Sequence, residues 1–388
     1  MISYLKRVIK SNKKLLSAYE FFFARDIVNL YGEKHQRKVL LSYSTYHFSK
    51  KNYTAHSNYQ ESWVIADIFR RLGFQIDVVN NNRFSKLNFS EYDVIFGEGF
   101  PMYQAVSSSV KAIKIYYGTG SHPAHCTEQS LKRVIDFYQN YKFLAVGSTR
   151  TSDFRWGLAA SMSDAVICIG NKQTADTFTA RSCSRVFTVD PSFHSRADAI
   201  ELGNVKDYAI CRKSLLWFGS YGLLHKGLDL AVEAVRHKPD WTLHVCGYTP
   251  AEADFLKTLN LPGNVVVHGF INVHSPQFKE LALKCGFVIL PSCSEGTATA
   301  VITAVANGAM IPLVSKECGY DVDKAGFLIE LNATDIERQL EILDAYDQET
   351  LKDTSIMAQK LALSRYTIDN YTTQIEQHLN TIINGEVS

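Results

Sequence analysis

The sequence predicts an α/β protein built from two doubly wound parallel sheets that face each other across a cleft. Short apolar runs, each followed by glycine, proline or a polar residue, alternate with amphipathic helical patterns over most of the chain. This alternation is typical of βα units with right-handed crossovers. The length of 388 residues exceeds what one core normally organises, and 46% hydrophobic with 21% charged residues is ordinary for a globular protein. We therefore expect two domains with separate cores.

The first domain is expected over residues 38–200, after an N-terminal extension at 1–37. Its amphipathic helix at 61–73 ends at Gly73, and glycine is a common helix C-cap. The apolar runs predicted as its strands are 38–43, 75–79, 93–96, 112–117, 165–169 and 185–189.

The second domain is expected over residues 201–365, with the join in the polar stretch 195–212. Its strands are predicted at 215–218, 243–246, 265–268, 287–290, 311–314 and 326–329. Ligands of an open parallel sheet collect outside the carboxyl ends of the strands. The residues that follow four of these strands should therefore converge on one crevice: Gly219, Gly247, Gly269 and Glu295.

The segment after the predicted strand 287–290 is suited to hold an anion. Pro291 stops the strand, and Gly296 with the threonines around it opens a helix of small residues. The first N–H groups of a helix have no intrahelical partner and favour phosphate. Glu295 would repel a phosphate and is expected against a bound sugar. The predicted diphosphate contacts at this turn and helix start are Ser294, Gly296, Thr297, Ala298 and Thr299.

A lysine follows the first strand of the same domain. Gly219 and Ser220 begin a turn after 215–218 that ends at Lys226, directly before the helical pattern 228–234. Gly219 lets the backbone approach a ligand closely, and Lys226 supplies a positive charge against a diphosphate. Lys226 is therefore a candidate for stabilising a leaving diphosphate.

These two segments resemble the signature of GT-B glycosyltransferases of family 4, the group 1 glycosyl transferases, which have two Rossmann-like domains and retain configuration. The family pattern Glu-x7-Glu begins here at Glu295, but Thr303 stands at the second glutamate. Aligned from Gly219, Ser220 stands where the family has arginine in Gly-Arg-x4-Lys-Gly, and one more residue precedes Lys226. The resemblance implies that Glu295 contacts the sugar hydroxyls and that position 303 lies at the ribose, where a hydroxyl cannot replace a bidentate carboxylate.

The resemblance also implies roles for residues outside these motifs. Gly247 would give room near the nucleotide, and Phe270 and Ile271 would border its base. The closing segment 366–388 would form a helix that crosses back to brace the first domain, and no metal would be needed.

Four residues of the first domain are candidates for the other side of the cleft. His122 follows the predicted strand 112–117, where transferases of this kind often have a histidine near the reacting sugar, and it is a second catalytic candidate. Glu98 follows the strand 93–96 and is a candidate acceptor ligand or general base. Arg150 and Arg155 could reach an anionic acceptor, and the polar, aromatic loop 44–59 is interpreted as facing the acceptor.

The N-terminal extension is basic. Residues 1–38 hold nine Lys or Arg against three Asp or Glu, although the whole chain carries only +2. Apolar residues between Tyr4 and Phe23 form an approximate helical stripe with lysines around it. We hypothesise that residues 1–30 lie on an anionic membrane surface, where a lipid-linked acceptor would be found. The alternative is a helix packed on its own domain.

The sequence predicts a cytoplasmic protein, because no cleavable signal or spanning segment is visible. A peripheral position on the inner face of the membrane is the expectation if residues 1–30 bind lipid. The eight cysteines form no Cys-x-x-Cys pair and are expected to be reduced core thiols.

The predicted function is transfer of a hexose from a nucleoside diphosphate sugar to a glycan or lipid-linked acceptor in surface polysaccharide or glycolipid assembly. No cofactor, metal or nucleic-acid partner is expected. One alternative is a GT-A transferase that holds a metal at Asp321-Val322-Asp323. The other is a sugar-nucleotide epimerase or a non-catalytic nucleotide-sugar-binding protein on the same scaffold.

Overall fold

The first of two parallel sheets contains the strands expected between residues 38 and 189. The computed structural model describes residues 25–49, 57–84, 86–247 and 250–385. The sheet has the order β2-β1-β3-β4-β5-β6, and every pairing in it is parallel. Its strands are β1 Arg37–Ser42, β2 Phe74–Val79, β3 Val94–Gly97, β4 Ile113–Gly118, β5 Ala165–Ile169 and β6 Val186–Val189.

Helices cover both faces of this sheet, which explains why its strands are continuous apolar runs rather than alternating ones. Val39 and Leu41 face one core, while Leu40 between them faces the other. The helices in this part of the chain are α1 Ser57–Arg71, α2 Gly99–Val106, α3 Pro123–Tyr141, α4 Phe154–Ser161 and α5 Lys172–Thr179.

The second sheet has the order β12-β11-β10-β7-β8-β9 and is also parallel throughout. Its strands are β7 Ser214–Phe218, β8 Thr242–Cys246, β9 Val265–Gly269, β10 Phe287–Leu290, β11 Ile311–Val314 and β12 Phe327–Leu328. The strand order reverses between β7 and β10, and the crevice at such a switch point is where doubly wound sheets bind ligands. The predicted α/β fold with two doubly wound parallel sheets is confirmed.

The helices around the second sheet enclose one continuous hydrophobic core. They are α6 Ala199–Val205, α7 Tyr208–Cys211, α8 Leu228–Arg236, α9 Ala253–Thr258, α10 Pro276–Lys284, α11 Thr299–Gly308, α12 Ala333–Asp344 and α13 Gln348–Arg365. The buried Lys206 ammonium donates to the carbonyls of Cys285, Gly308 and Ala309 at 2.6 to 2.9 Å. This contact caps the carboxyl end of α11 and holds the helix in place.

The last helix, α14 Ile368–Asn384, packs on the first sheet after the chain has completed the second. The Tyr371 hydroxyl lies 2.8 Å from the Tyr117 hydroxyl, and both side chains are buried. At the start of this crossing, the Arg365 guanidinium makes two hydrogen bonds of 2.8 and 2.9 Å to Asp190, just beyond β6. The two domains are therefore joined at their carboxyl-terminal crossing by a bidentate ion pair.

A second connection between the domains is made by α3 and the loop after it. Val134, Phe137 and Ala145 belong to the core of the second sheet, although the chain reaches them between β4 and β5 of the first. The Arg133 guanidinium forms a buried 2.5 Å ion pair with Asp229 on α8. Residues 123–150 therefore pack against the second domain.

The N-terminal segment is described only from residue 25, so most of the basic helix predicted for residues 1–30 lies outside the described residues. Ile27 forms an antiparallel bridge to Val78, and the Leu30 N–H donates to the Ile76 carbonyl at 2.8 Å. This segment therefore lies along the β2 edge of the first sheet. Within the described ranges, no helix combines the length and apolar character needed to cross a membrane.

The cysteines match the expectation of core thiols. All eight are free, and all except the half-buried Cys126 are buried.

Replacing Tyr371 by alanine is expected to lower the free energy of unfolding by about 3 to 5 kcal/mol, because it empties a fully buried aromatic site. Tyr371→Phe keeps the ring and loses only the contact with the Tyr117 hydroxyl, so it should cost about 1 kcal/mol. Urea unfolding followed by circular dichroism measures both losses. Equal losses for the two variants, or none for the alanine variant, would contradict the packing of α14 on the first sheet.

Candidate active site

The carboxyl ends of four strands of the second sheet meet at one place. The Gly219 N–H donates to the Cys246 carbonyl at 3.2 Å, and the Gly247 N–H donates to the Gly269 carbonyl at 2.7 Å. These bonds link the ends of β7, β8 and β9. The turn after β7 is joined to the segment after β10, since a Cβ on Gly227 would lie 2.1 Å from the Pro291 carbonyl oxygen.

A buried ion pair lies where the segments after β7 and β10 touch. Lys226 Nζ donates to Glu295 Oε1 at 2.5 Å, and Ser292 Oγ donates to the same oxygen at 3.0 Å. The two charged side chains are only 5% and 10% exposed. Burial alone would raise the pKa of Glu295, but attraction to Lys226 and then to Arg150 outweighs it, so this pKa lies below its ordinary value. Glu295 is therefore a carboxylate at neutral pH.

Arg150 reaches the same pair from the first domain. Its Nη1 lies 3.4 Å from Glu295 Oε2, and its Nη2 donates to the Tyr221 carbonyl at 3.4 Å. A Cβ on Gly222 would lie 3.3 Å from Arg150 Cγ. The guanidinium therefore covers the turn after β7, on the predicted donor side, and the acceptor contact predicted for Arg150 stays a prediction.

The start of α11 offers N–H groups to this space. Ala298 is the N-cap and no side chain caps the helix; its N–H donates to the Cys318 carbonyl at 3.1 Å. The N–H groups of Gly296, Thr297 and Thr299 have no acceptor in the part of the chain that the structure describes. An anion beside Glu295 would find these donors free.

The Gly296 turn also lies against the first domain. A Cβ on Gly296 would come within 2.4 Å of the Ile169 carbonyl oxygen and 3.1 Å of Gly120 Cα. The Ser294 hydroxyl contacts the Ser121 hydroxyl across the same junction. The close approach of the two domains therefore requires glycine at position 296, because any side chain there would clash with the first domain. This requirement adds to the role of Gly296 in the turn.

Gly247 has a structural explanation that differs from the one implied by the resemblance. It has a φ of +92°, and a Cβ there would lie 1.6 Å from the Gly219 carbonyl oxygen. The glycine therefore lets the ends of β7 and β8 come together. Room for a nucleotide is not needed to explain it.

The other residues predicted on the donor side differ in exposure. Phe270 is 79% exposed just beyond β9, whereas Ile271 packs against the second core. Ser220 is exposed in the turn after β7, and Thr303 is half-buried in the second turn of α11. An exposed aromatic ring at the end of β9 is available to contact a planar base.

His122 does not face the cleft. It is the N-cap of α3 and only 1% exposed. The Ala124 N–H donates to its Nδ1 at 3.2 Å, and its Nε2 lies 3.1 Å from Ser161 Oγ. Burial lowers the pKa of His122 to about 4. Both ring nitrogens are occupied inside the first domain, and the structure does not support the catalytic role predicted for this histidine.

Glu98 lies at the switch point of the first sheet, where the strand order reverses between β1 and β3. Its Oε1 accepts a 2.8 Å hydrogen bond from Asn81 Nδ2. Burial raises the pKa of Glu98 to about 7.

Arg155 is held by two hydrogen bonds of 2.7 and 2.8 Å to Asp153 and stacks on Phe100. Its guanidinium is therefore already paired within the first domain.

Sequence reasoning missed a second carboxylate in this region. Glu61 on α1 is 3% exposed, and its Oε1 accepts 2.9 Å hydrogen bonds from the N–H and the hydroxyl of Ser192. Burial raises its pKa to about 7. The signal was present in the helical spacing, because Glu61 shares the apolar face of Ile65 and Ile68.

Asp321 does not form part of a metal site. Its two carboxylate oxygens contact Arg365 at 2.9 Å and Asn171 at 2.6 Å, so it belongs to the junction between the domains. Among the described residues, no cluster of three or more His, Cys, Asp or Glu side chains is arranged to hold a metal ion. The GT-A alternative, which required a metal at Asp321 and Asp323, is not supported.

Two Rossmann-like parallel sheets, with a charged site at the switch point of the second, correspond to the GT-B fold. Residues 212–343 match the family model described as Glycosyl transferases group 1. This match lies within the second domain, and the glycosyltransferase predicted from the sequence is confirmed.

Solved structures show the same fold at low identity. The chain resembles HepE of Anabaena, solved with UDP and glucose, at 15% identity and a TM-score of 0.56, covering 91% of this chain and 100% of that one. Sucrose-phosphate synthase of Thermosynechococcus elongatus has 13% identity and a TM-score of 0.61 with the same coverage. A glycosyltransferase of Rickettsia africae has 11% identity and a TM-score of 0.57, again with 91% and 100% coverage. No curated protein matches the chain.

Lys226→Met is expected to lower the free energy of unfolding by about 3 to 5 kcal/mol, because it removes the main partner of a buried carboxylate. Adding Glu295→Gln removes that charge and should recover much of the loss. Chemical unfolding of the two single variants and the double variant gives the coupling energy. Independent, additive losses would contradict the buried ion pair.

Proposed function

We propose that the protein transfers a sugar from a nucleoside diphosphate sugar to an acceptor hydroxyl. The observation that carries the proposal is the buried Lys226–Glu295 pair beside the unpaired N–H groups at the start of α11. This arrangement lies at the switch point of the second sheet, where a nucleotide would bind. The HepE structures, which hold UDP, glucose or UDP-glucose, support this class of donor.

In the proposed step, a bond forms between the acceptor oxygen and the anomeric carbon as the bond from that carbon to the diphosphate oxygen breaks. The electron pair of the broken bond stays on the diphosphate. Lys226 and the N–H groups of Gly296, Thr297 and Thr299 stabilise that developing charge, in the role that a metal ion has elsewhere. Glu295, kept ionised by its cations, accepts hydrogen bonds from the sugar hydroxyls and orients the ring.

The acceptor proton requires a base on the other side of the cleft. Glu98 is the candidate, because its pKa of about 7 suits general-base catalysis near neutral pH. Retention of configuration and a role in surface polysaccharide or glycolipid assembly are proposed from the family resemblance. Retention in a single displacement requires the acceptor oxygen to approach the face of the sugar ring that the diphosphate leaves, so Glu98 would take the proton on that same face. The basic residues 1–30 support a lipid-linked acceptor at an anionic membrane surface on the cytoplasmic side.

Product analysis separates this proposal from its alternative. Thermal shift with UDP, GDP, ADP and CMP sugars selects the donor, and the selected donor is then incubated with and without a lipid extract as the acceptor source. A transferase releases nucleoside diphosphate only with acceptor, and Lys226→Ala and Glu295→Ala should each reduce release roughly 100-fold or more. An epimerase converts the donor without acceptor, and a binding protein does neither. The alternative is favoured by Thr303, which replaces a carboxylate of the family pattern.

A general-base role for Glu98 predicts a specific pH dependence. A base is active when ionised, so the transfer rate should rise with pH through about 7 and fall below it. Glu98→Gln keeps an oxygen for Asn81 and should lower the rate roughly 100-fold with loss of this dependence. Glu91→Gln, which removes a half-exposed carboxylate that pairs with Lys38, is the control and should leave the profile unchanged. A full rate in Glu98→Gln would show that another group takes the proton.

A further inference from the structure

We propose that Arg150 is the second cation, after Lys226, of the site that binds the donor diphosphate. Arg150 belongs to the first domain and extends into this site of the second domain. This inference rests on the proposed function, because it assigns a ligand contact within that site. It differs from the sequence prediction, which placed Arg150 against the acceptor.

The main chain at Arg150 is fixed to the second domain. The Ser148 carbonyl accepts hydrogen bonds of 3.1 Å from the N–H groups of both Leu224 and His225, immediately before Lys226. Ser130 Oγ donates to the Arg150 carbonyl at 2.7 Å and lies 2.8 Å from His225 Nδ1. These contacts hold the loop of the first domain on the turn that carries Lys226.

The guanidinium remains available to a ligand. Its side chain is 37% exposed, whereas Lys226 is 5% exposed. Its hydrogen bonds to Glu295 and to the Tyr221 carbonyl are both long, at 3.4 Å. A guanidinium has five N–H groups in a planar fork that matches phosphate oxygens. Arg150 can therefore add a bidentate phosphate contact without a large rearrangement.

The site needs the positive charge of Arg150 to carry a net positive charge. Lys226 and Glu295 neutralise each other at 2.5 Å, so this pair alone presents no net charge to a diphosphate. Arg150 gives the cluster of Lys226, Glu295 and Arg150 a net charge of about +1, to which the dipole of α11 adds. The arginine from the first domain therefore gives the cluster the net positive charge that favours an anion.

Ser220 supports the same assignment from the other side of the turn. It is exposed, and it stands where the family resemblance implies an arginine. Arg150 covers Gly222, two residues further along this turn. An arginine from the first domain therefore lies over the turn from which the second domain's own arginine is missing.

The test compares binding of phosphate and of nucleoside. Titration calorimetry uses whichever of UDP, GDP and ADP binds the wild type most tightly, together with its parent nucleoside. Arg150→Ala should weaken diphosphate binding roughly tenfold to a hundredfold, the usual range for one charge-assisted hydrogen bond, and leave nucleoside binding unchanged. The diphosphate affinity of Arg150→Lys should lie between those of Arg150→Ala and the wild type, because lysine keeps the charge and loses the planar fork of N–H groups.

Two further variants make the test specific. Arg71→Ala removes another arginine that pairs with a glutamate across two helices and is 47% exposed, and it should bind like the wild type. Adding Ser220→Arg to Arg150→Ala should restore most of the diphosphate affinity.

The outcomes separate this inference from the proposed function. Wild-type affinity in Arg150→Ala, an equal loss of nucleoside binding, or failure of Ser220→Arg to restore affinity would overturn the role of Arg150. If Lys226→Ala, shown to be folded by circular dichroism, still loses diphosphate binding in those cases, the proposed function stands. A wild-type protein that binds none of the diphosphates would overturn both.

Discussion

A carboxylate removed from water must be matched by nearby cations, and Glu295 imposes this constraint on the whole molecule. Its partner Lys226 follows β7, while Glu295 follows β10. The two segments meet only because the strand order places β7 beside β10. The long contact to Arg150 adds the first domain to the same requirement. One buried charge thus couples sheet topology, the turn after β7 and the junction of the domains.

The attachment of residues 123–150 to the second domain limits how the cleft can open. Val134 and Phe137 lie in the second core, and the pair of Arg133 with Asp229 is buried. Separating this segment from α8 would expose both apolar area and unpaired charge, which is costly. If the cleft opens without breaking these contacts, residues 123–150 must act as the hinge. The first sheet then moves away from them. Arg150 would then stay with the donor side while the acceptor side moves.

The sequence was sufficient for the parts that depend on local pattern. Both sheets were predicted because strands covered on two faces are continuous apolar runs, as in 287–290. Lys226 and Glu295 could be placed together because both follow strands at a switch point. The surroundings of His122 and Arg150 could not be predicted, because the direction of a side chain after a strand depends on packing between distant segments. Gly247 likewise depends on how closely two strand ends approach, which glycine alone does not reveal.

The two edges of the cleft differ in a way that suits transfer between them. The second sheet presents cations and free N–H groups, whereas the first holds Glu61 and Glu98, each with a pKa raised by burial to about 7. Both carboxylates act on Tyr43 and Tyr117, whose pKa values are raised mainly by burial and in smaller part by these charges, with Tyr371 adding to the effect on Tyr117. Negative charge is therefore costly at these positions of the first sheet and stabilised at Glu295 after the second sheet's β10. In the proposed reaction, a proton leaving the acceptor would be taken up on the first side, while the electron pair of the broken bond would be stabilised on the second.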